Sequence, residues 1–200
     1  GYGTFVMPAI IMVIIQQTLL IGIGMIGGTW REFGLYRKLC PPDRKRMSTL
    51  PIVLGKALVY GIIYSVTTFY ILGLHYRLFH YPMNGATGTI VVFMLAYMAA
   101  CIALGIAIST LFRYRENSLL LLLWTSIPLL MLSGVSYPRE GIPDWLFNLG
   151  QIFPSSHGVN AFIRIQSMGA SLSEVLSEIR MLCILALVYG GLACIGIHLV

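Results

Sequence analysis

The hydrophobic residues of this chain fall in long uncharged runs, and they do not alternate with polar residues. Five runs are long enough to be predicted membrane spans, at 5–28, 54–74, 89–112, 118–135 and 180–198. Crossing a hydrocarbon core about 30 Å thick takes about 20 apolar residues in a helix. Because lipid offers no hydrogen-bond partners and the runs are continuous, the pattern predicts an all-α polytopic bundle of five transmembrane helices and no β-barrel.

The first predicted span contains two adjacent amides, Gln16 and Gln17, followed by Gly24 and Gly28. Small residues four apart allow two helix backbones to approach closely, and an amide in hydrocarbon needs a partner on a neighbouring helix. Packing within the chain is the simpler interpretation. Lining of a transport pathway is the alternative, and the candidates for it are Gln16, Gln17, Thr67 and Thr68.

The connection 30–49 mixes apolar residues with cations and is interrupted by two prolines. It holds six of the 13 lysines and arginines in the chain. A segment of this kind can lie along the membrane interface as a short amphipathic helix. We therefore expect a docking surface for a cytoplasmic partner, with an ordinary solvated loop as the alternative.

The distribution of basic residues predicts the orientation. Nine lie in or beside the first and third connections, and four lie in the other two. The positive-inside rule then places the N-terminus of the chain outside and the C-terminus inside. An outward start at Gly1 without an initiator methionine predicts a fragment that lacks at least one preceding span.

The connection 136–179 is long and partly apolar. Pro143 suits the first turn of a helix, and the predicted helix 143–153 is expected to end before Pro154. Its apolar residues recur at three- and four-residue spacing: Ile142, Trp145, Leu146, Leu149, Ile152 and Phe153. Ser171 and Glu174 match a capping box, which predicts that the last helix begins outside the bilayer. Region 136–179 is thus expected to re-enter the membrane as a lid without crossing it.

The composition supports this assignment and limits the chemistry. The chain is 58% hydrophobic and 10% charged, far below the roughly 25% charged residues of soluble domains. Its net charge of +6 comes mainly from the connections, so nucleic acid is not an expected partner. The four cysteines are dispersed and predict no metal site. Gly55 and Lys56 lack the other residues of a phosphate-binding loop, so no nucleotide site is predicted.

Two alternatives to transport remain open on the residues alone. An intramembrane hydrolase or acyltransferase would use a serine, a histidine and an acid from the outer connection: Ser133, Ser155, Ser156, His157, Glu140 and Asp144. No Gly-x-Ser-x-Gly elbow accompanies them. A passive channel or assembly subunit is the other alternative, although the spans carry few polar groups that could line a pore.

Four stretches in this order resemble the permease subunits of type-2 ABC exporters: MPAIIMVIIQQTLLIGIGMIGGTWRE, LPIVLGKAL, ALGIAISTLFRYREN and LSGVSYPREGIPDWLFNLGQIFPSSHGVNAFIRI. The resemblance covers essentially the whole chain. It implies a six-span permease whose spans two to six are present here. The first helix and the large extracytoplasmic domain that follows it in such permeases are absent from this sequence.

The resemblance also implies roles for residues. It makes 30–49 a coupling segment for a cytoplasmic ABC ATPase, with contacts expected from Arg31, Glu32, Phe33, Tyr36, Arg37, Lys38 and Arg44. It makes the outer region a gate, with Pro138, Pro143, Trp145, Phe153 and Pro154 as its residues. No residue is expected to be catalytic, and ATP and magnesium are expected on the ATPase subunit only.

The same resemblance implies the setting in which the chain works. The expected location is the bacterial inner membrane, and the expected mechanism is alternating access between two states of a bundle. The expected partners are the ATPase, a second permease subunit and membrane lipid, with a periplasmic adaptor as a further candidate.

Overall fold

The computed structural model describes residues 2–35, 49–78, 83–132 and 143–199. All regular structure in these ranges is helical. Seven helices are named here in chain order: α1 Tyr2–Glu32, α2 Leu50–Phe69, α3 Thr87–Ser109, α4 Arg115–Leu132, α5 Asp144–Gly150, α6 Pro154–Met168 and α7 Leu176–Leu199. A wider π-helical segment, Tyr70–His75, and a short turn, Tyr76–Leu78, extend α2.

Four helical stretches in the described ranges are long and apolar enough to cross a membrane. They are Val6–Glu32, Leu50–Leu74, Thr87–Ser109 and Leu176–Leu199, and they overlap the first, second, third and fifth predicted spans. Helix α4 overlaps the fourth, but its described part begins with the charged pair Arg115 and Glu116 and is not among the four. The chain is an all-α polytopic membrane protein, and the crossing at 118–135 stays a prediction.

Helix α3 lies at the centre of the bundle. It packs most extensively against α7 and α1, and it also contacts α2 and α6. Within its most apolar window 61% of the residues are buried, against 6% for the corresponding window of α2. Helix α2 therefore lies at the periphery, where its apolar side chains suit a lipid environment.

Helix α1 packs on α4 through its glycines. A Cβ added at Gly24 would lie 2.6 Å from Ser118 Oγ, and one added at Gly28 would lie 2.8 Å from Arg115 Cα. Neither distance leaves room for a side chain. The interpretation of these glycines as packing residues within the chain is confirmed, because they bring the α1 and α4 backbones together.

The structure corrects the predicted outer helix. The helix expected at 143–153 is shorter, because α5 ends at Gly150, and Pro154 begins a second helix instead of ending the first. Proline has no N–H to lose in a first helical turn and its fixed φ suits that position. The expectation of irregular chain after Pro154 is wrong. Helix α6 has 15 residues, and it ends at Gly169 in the left-handed conformation with φ +66°.

The predicted capping box at the start of the last helix is half formed. Ser171 N donates to Glu174 Oε2 at 2.6 Å, and Ser171 Oγ donates to the same oxygen at 2.8 Å. These bonds favour the ionised form, so the backbone bond from Ser171 above all holds the pKa of the Glu174 carboxyl below its ordinary value. Helix α7 begins two residues later, at Leu176.

Candidate functional site

Helix α6 enters the helix bundle from one end and reaches its middle. Its first turn contacts Gln16, about halfway along α1, through a hydrogen bond from Ser155. Its last turn lies where α3 begins, because Asn84 N donates to Gln166 O at 3.1 Å. Fifteen helical residues rise only about 22 Å, which is less than the thickness of a hydrocarbon core. Helix α6 is therefore built as a re-entrant helix.

Gln16 anchors the inner tip of α6. Its amide is fully buried, and its Oε1 accepts hydrogen bonds from Ser155 N at 2.8 Å and from Cys101 Sγ at 3.8 Å. Its Nε2 donates to Ser155 Oγ at 3.2 Å. The first N–H groups of a helix have no partner within that helix. Gln16 supplies such a partner from another helix, 139 residues away in sequence.

Aromatic packing fixes the rest of α6 against α3. The rings of Phe93 and Phe162 stack with centroids 6.1 Å apart, and Tyr97 stacks on Phe93 at 6.0 Å. The hydroxyl of Tyr97 donates to Met12 O at 2.7 Å and so also ties α3 to α1. A Cβ added at Gly158 would lie 2.6 Å from Cδ2 of Tyr97, so only glycine lets α6 lie on this ring.

Gln17 is placed differently from its neighbour. It is 6% exposed, and among the described residues neither its Nε2 nor its Oε1 has a hydrogen-bond partner. The hydroxyl of Ser118 on α4 is buried and unpaired in the same sense. Of the two glutamines predicted to need a partner, only Gln16 receives one in this arrangement.

The two threonines predicted with the glutamines lie elsewhere. Thr67 is exposed and its hydroxyl donates to Ile63 O within α2 at 3.2 Å. Thr68 is buried and donates to Met98 Sδ at 3.5 Å. Their hydrogen bonds stay on α2 and α3, so the structure does not join them to Gln16 through a common polar network.

The residues proposed for an enzyme are occupied with the turn between α5 and α6. Ser156 Oγ donates to Gly150 O at 2.7 Å, and His157 Nε2 lies 3.1 Å from Gln151 O. Neither Ser155 nor Ser156 bonds to the imidazole within the described ranges. Ser133 and Glu140 lie outside those ranges, and Asp144 is exposed on α5. No three His, Cys, Asp or Glu side chains gather as a metal site in the part of the chain that is described.

The predicted gate residues divide into two groups. Pro143 and Trp145 are exposed on or beside α5, and Trp145 is 68% exposed. Phe153 packs partly buried against a cluster that contains Tyr189, and Pro154 is buried. Pro138 lies outside the described residues. The gate prediction thus covers an exposed helix and the buried tip of α6.

Polar contacts also fix the outer end of α6. Arg164 Nη1 pairs with Glu178 Oε1 at 2.6 Å, and its Nη2 donates to Glu174 O at 2.9 Å. Asn84 Nδ2 donates to Ser167 O at 3.1 Å, close to the C-terminal end of the helix. Helix α6 is held at both ends, which makes it a rigid part of the bundle.

The predicted coupling segment is described only at its edges. Arg31 Nη1 donates to Thr110 O at 2.6 Å, and Lys56 Nζ lies 4.5 Å from the centroid of the Trp30 ring. Glu32 and Phe33 are exposed. The other predicted contact residues lie outside the described ranges: Tyr36, Arg37, Lys38 and Arg44.

Comparison with known proteins identifies relatives along the chain. The family model described as ABC-2 family transporter protein matches residues 1–195. Two relatives, from Escherichia coli K12 and Escherichia coli O157:H7, are named as probable multidrug ABC transporter permease YbhR. Each is 25% identical over 192 residues, which is 96% of this chain and 51% of the relative.

A more distant relative is ABC transporter G family member 20 of Dictyostelium discoideum. It is 26% identical over 99 residues, 48% of this chain and 14% of that protein. The chain spans about half the length of the YbhR proteins that it matches. No solved structure gives a significant match.

Proposed function

Because this chain belongs to the ABC-2 family of transporter proteins, we propose that it is the permease part of an ATP-driven exporter. It forms the substrate pathway and couples to a separate cytoplasmic ATPase. The observation that carries this proposal beyond family membership is the anchoring of re-entrant α6 on Gln16 in the middle of the bundle. That contact closes the bundle from its outer side, as alternating access requires of a permease at rest.

The proposed topology puts the two functional regions on opposite sides of the membrane. With the N-terminus of the chain outside, the coupling segment 30–49 lies in the cytoplasm, and α5, Gly169 and Ser171 lie at the outer face. The charge distribution supports this arrangement through the positive-inside rule. The proposed location is the bacterial inner membrane, with ATP and magnesium bound by the ATPase and with a second permease subunit completing the pathway.

An amphiphilic small molecule is the proposed substrate class. The relatives from Escherichia coli are named as multidrug permeases. The spans here are apolar, with a few buried amides such as Gln17 to hydrogen-bond a polar group on the substrate. An apolar pathway with isolated amides suits molecules that have a large hydrophobic surface and few charges.

Co-purification and reconstitution test the proposal. The full-length protein is purified alone and together with the ABC ATPase encoded beside it, and ATP hydrolysis and ATP-dependent movement of a fluorescent amphiphilic dye are measured in proteoliposomes. We expect hydrolysis and transport only from the complex. The matched control is a complex whose ATPase carries a substitution in its own catalytic glutamate.

Two outcomes contradict the proposal. Hydrolysis by the purified permease alone would show that it carries its own nucleotide site. Dye movement at equal rates with and without ATP would favour the passive channel. The outer serine and histidine are not favoured as an enzyme, because their described hydrogen bonds stabilise the turn before α6.

A further inference from the structure

The cytoplasmic ends of three helices meet at Thr110 under the proposed topology. Thr110 directly follows α3, is 7% exposed, and donates its hydroxyl to Ala107 O at 2.7 Å. A Cβ added at Gly196 would lie 2.9 Å from Thr110 Cβ, so α7 packs directly on this residue. Any displacement of Thr110 is therefore felt by α7 as well as by α3.

Arg31 connects this point to α1. Its Nη1 donates to Thr110 O at 2.6 Å, across 79 residues of sequence. Carbonyls at the end of a helix lack partners within the helix and carry partial negative charge. A guanidinium is always charged, so this is a charge-assisted hydrogen bond to a group that needs a partner.

Backbone contacts beside Arg31 make the connection stiff. A Cβ added at Gly27 would lie 2.5 Å from Ser109 Cβ, and one added at Gly28 would lie 2.8 Å from Arg115 Cα. The last turns of α1 are thus packed on both ends of the turn between α3 and α4. Close packing of this kind transmits displacement because it leaves no space to absorb it.

The surroundings of Arg31 separate it from a docking contact. Glu32 and Phe33, the next two residues, are exposed, whereas Arg31 is half-buried and reaches into the bundle. On the other side, the Trp30 ring contacts Lys56 Nζ at 4.5 Å, which holds the two edges of the coupling segment together. Arg31 therefore lies between the segment that would meet the ATPase and the helices that would move.

We infer that Arg31 is a positioning residue that transmits displacement of the coupling segment to Thr110, and from there to α3 and α7. The inference rests on the proposed function, since it requires an ATPase that moves the segment. A role limited to capping α3 would lower stability on removal of Arg31 but would leave nucleotide-driven motion intact. Transmission requires that this motion be lost.

Nucleotide-dependent accessibility of the outer helix distinguishes the two roles. The full-length complex carries Trp145→Cys in a background in which Cys40, Cys183 and Cys194 are serine, and is labelled from outside by a membrane-impermeant maleimide. Labelling rates are compared without nucleotide and with ATP and vanadate. The variants are Arg31→Ala and Arg31→Lys, with Arg113→Ala as the matched control, because Arg113 is an exposed cation in the neighbouring turn.

We expect nucleotide to change the labelling rate about fivefold or more in the parent complex and in the Arg113 control. Arg31→Ala should abolish the change while the complex still hydrolyses ATP, and Arg31→Lys should retain part of it because an ammonium can still donate to the carbonyl. If Arg31→Ala misfolds, the Arg31→Lys complex is tested alone: a reduced nucleotide effect supports transmission, and an unreduced one overturns it.

Other results overturn the inference in separate ways. A full nucleotide effect in Arg31→Ala would leave only the capping role. Loss of the ATPase from the Arg31→Ala complex would make Arg31 a docking contact. If the parent complex contains no ATPase or shows no response to nucleotide, it is the proposed function that fails, and the hydrogen bond of Arg31 is then structural.

Discussion

The adjacent glutamines of α1 allow a matched test of how α6 is anchored. Both are buried, but Gln16 bonds to the first turn of α6, whereas Gln17 has no partner among the described residues. Leucine is similar in size to glutamine and has no polar atoms. Gln16→Leu therefore leaves the buried N–H of Ser155 without its partner, while Gln17→Leu removes two unpaired polar atoms.

The expected difference in stability follows from the cost of a buried unpaired donor, about 1–3 kcal/mol. In a domain of this size each kcal/mol shifts the melting temperature by about 2–4 °C. Gln16→Leu should therefore lower the melting temperature of the full-length protein by about 2–12 °C. Gln17→Leu should leave it unchanged or raise it, because replacing an unpaired polar group with an apolar one of similar shape is neutral or favourable.

Thermal unfolding in mild detergent, followed by intrinsic tryptophan fluorescence, measures both variants under identical conditions. The reasoning is refuted if Gln17→Leu is destabilised as much as Gln16→Leu, since the two then do not differ in their partners. Transport is measured in the same preparations. A fall in dye transport by Gln17→Leu at unchanged stability would support Gln17 as a pathway residue.

Three further predictions follow from single contacts. Gly158→Ala should lower the free energy of unfolding by about 1–3 kcal/mol because its methyl would overlap a tyrosine ring on α3, and Gly190→Ala, with open space around it, should not; a thermal scan in which both alanines behave alike would contradict this. The depressed pKa of Glu174 means that its contribution to stability is present above the ordinary pKa of 4.5 and is lost as the pH falls through the lower value in the folded protein; Glu174→Gln should weaken the acid-side loss of melting temperature, and an unchanged pH profile would refute it. Cysteine at Trp145 should react with an impermeant maleimide in intact cells and cysteine at Arg44 only after permeabilisation, whereas reaction of both on the same side would refute the proposed topology.

Local sequence predicted much of the fold because the membrane leaves few alternatives. A continuous apolar run must satisfy its own backbone, so helices could be expected at four of the predicted spans where long apolar helices are found. The capping contact between Ser171 and Glu174 spans three residues and needs no distant partner. The glycines of α1 also announced close packing, although not the helix against which they pack.

Pro154 shows the limit of local reasoning. Proline is compatible with the start of a helix and with the region after its end, so the sequence allowed either. The structure places it at the start of α6, a helix whose buried residues require α1, α3 and α7 around it. The spacing of Val159, Phe162 and Ile163 was the available signal, but its significance depends on that enclosure.

The sequence by itself determined that the chain is a set of apolar helices and where their polar residues and glycines fall, because those properties depend on each residue and its near neighbours. Only the tertiary structure decided that Gln16 is paired and Gln17 is not, and that Arg31 reaches Thr110. Identical side chains one residue apart point about 100° away from each other on a helix, so they meet different neighbours. Their roles depend on segments 139 and 79 residues away, which no local pattern can specify.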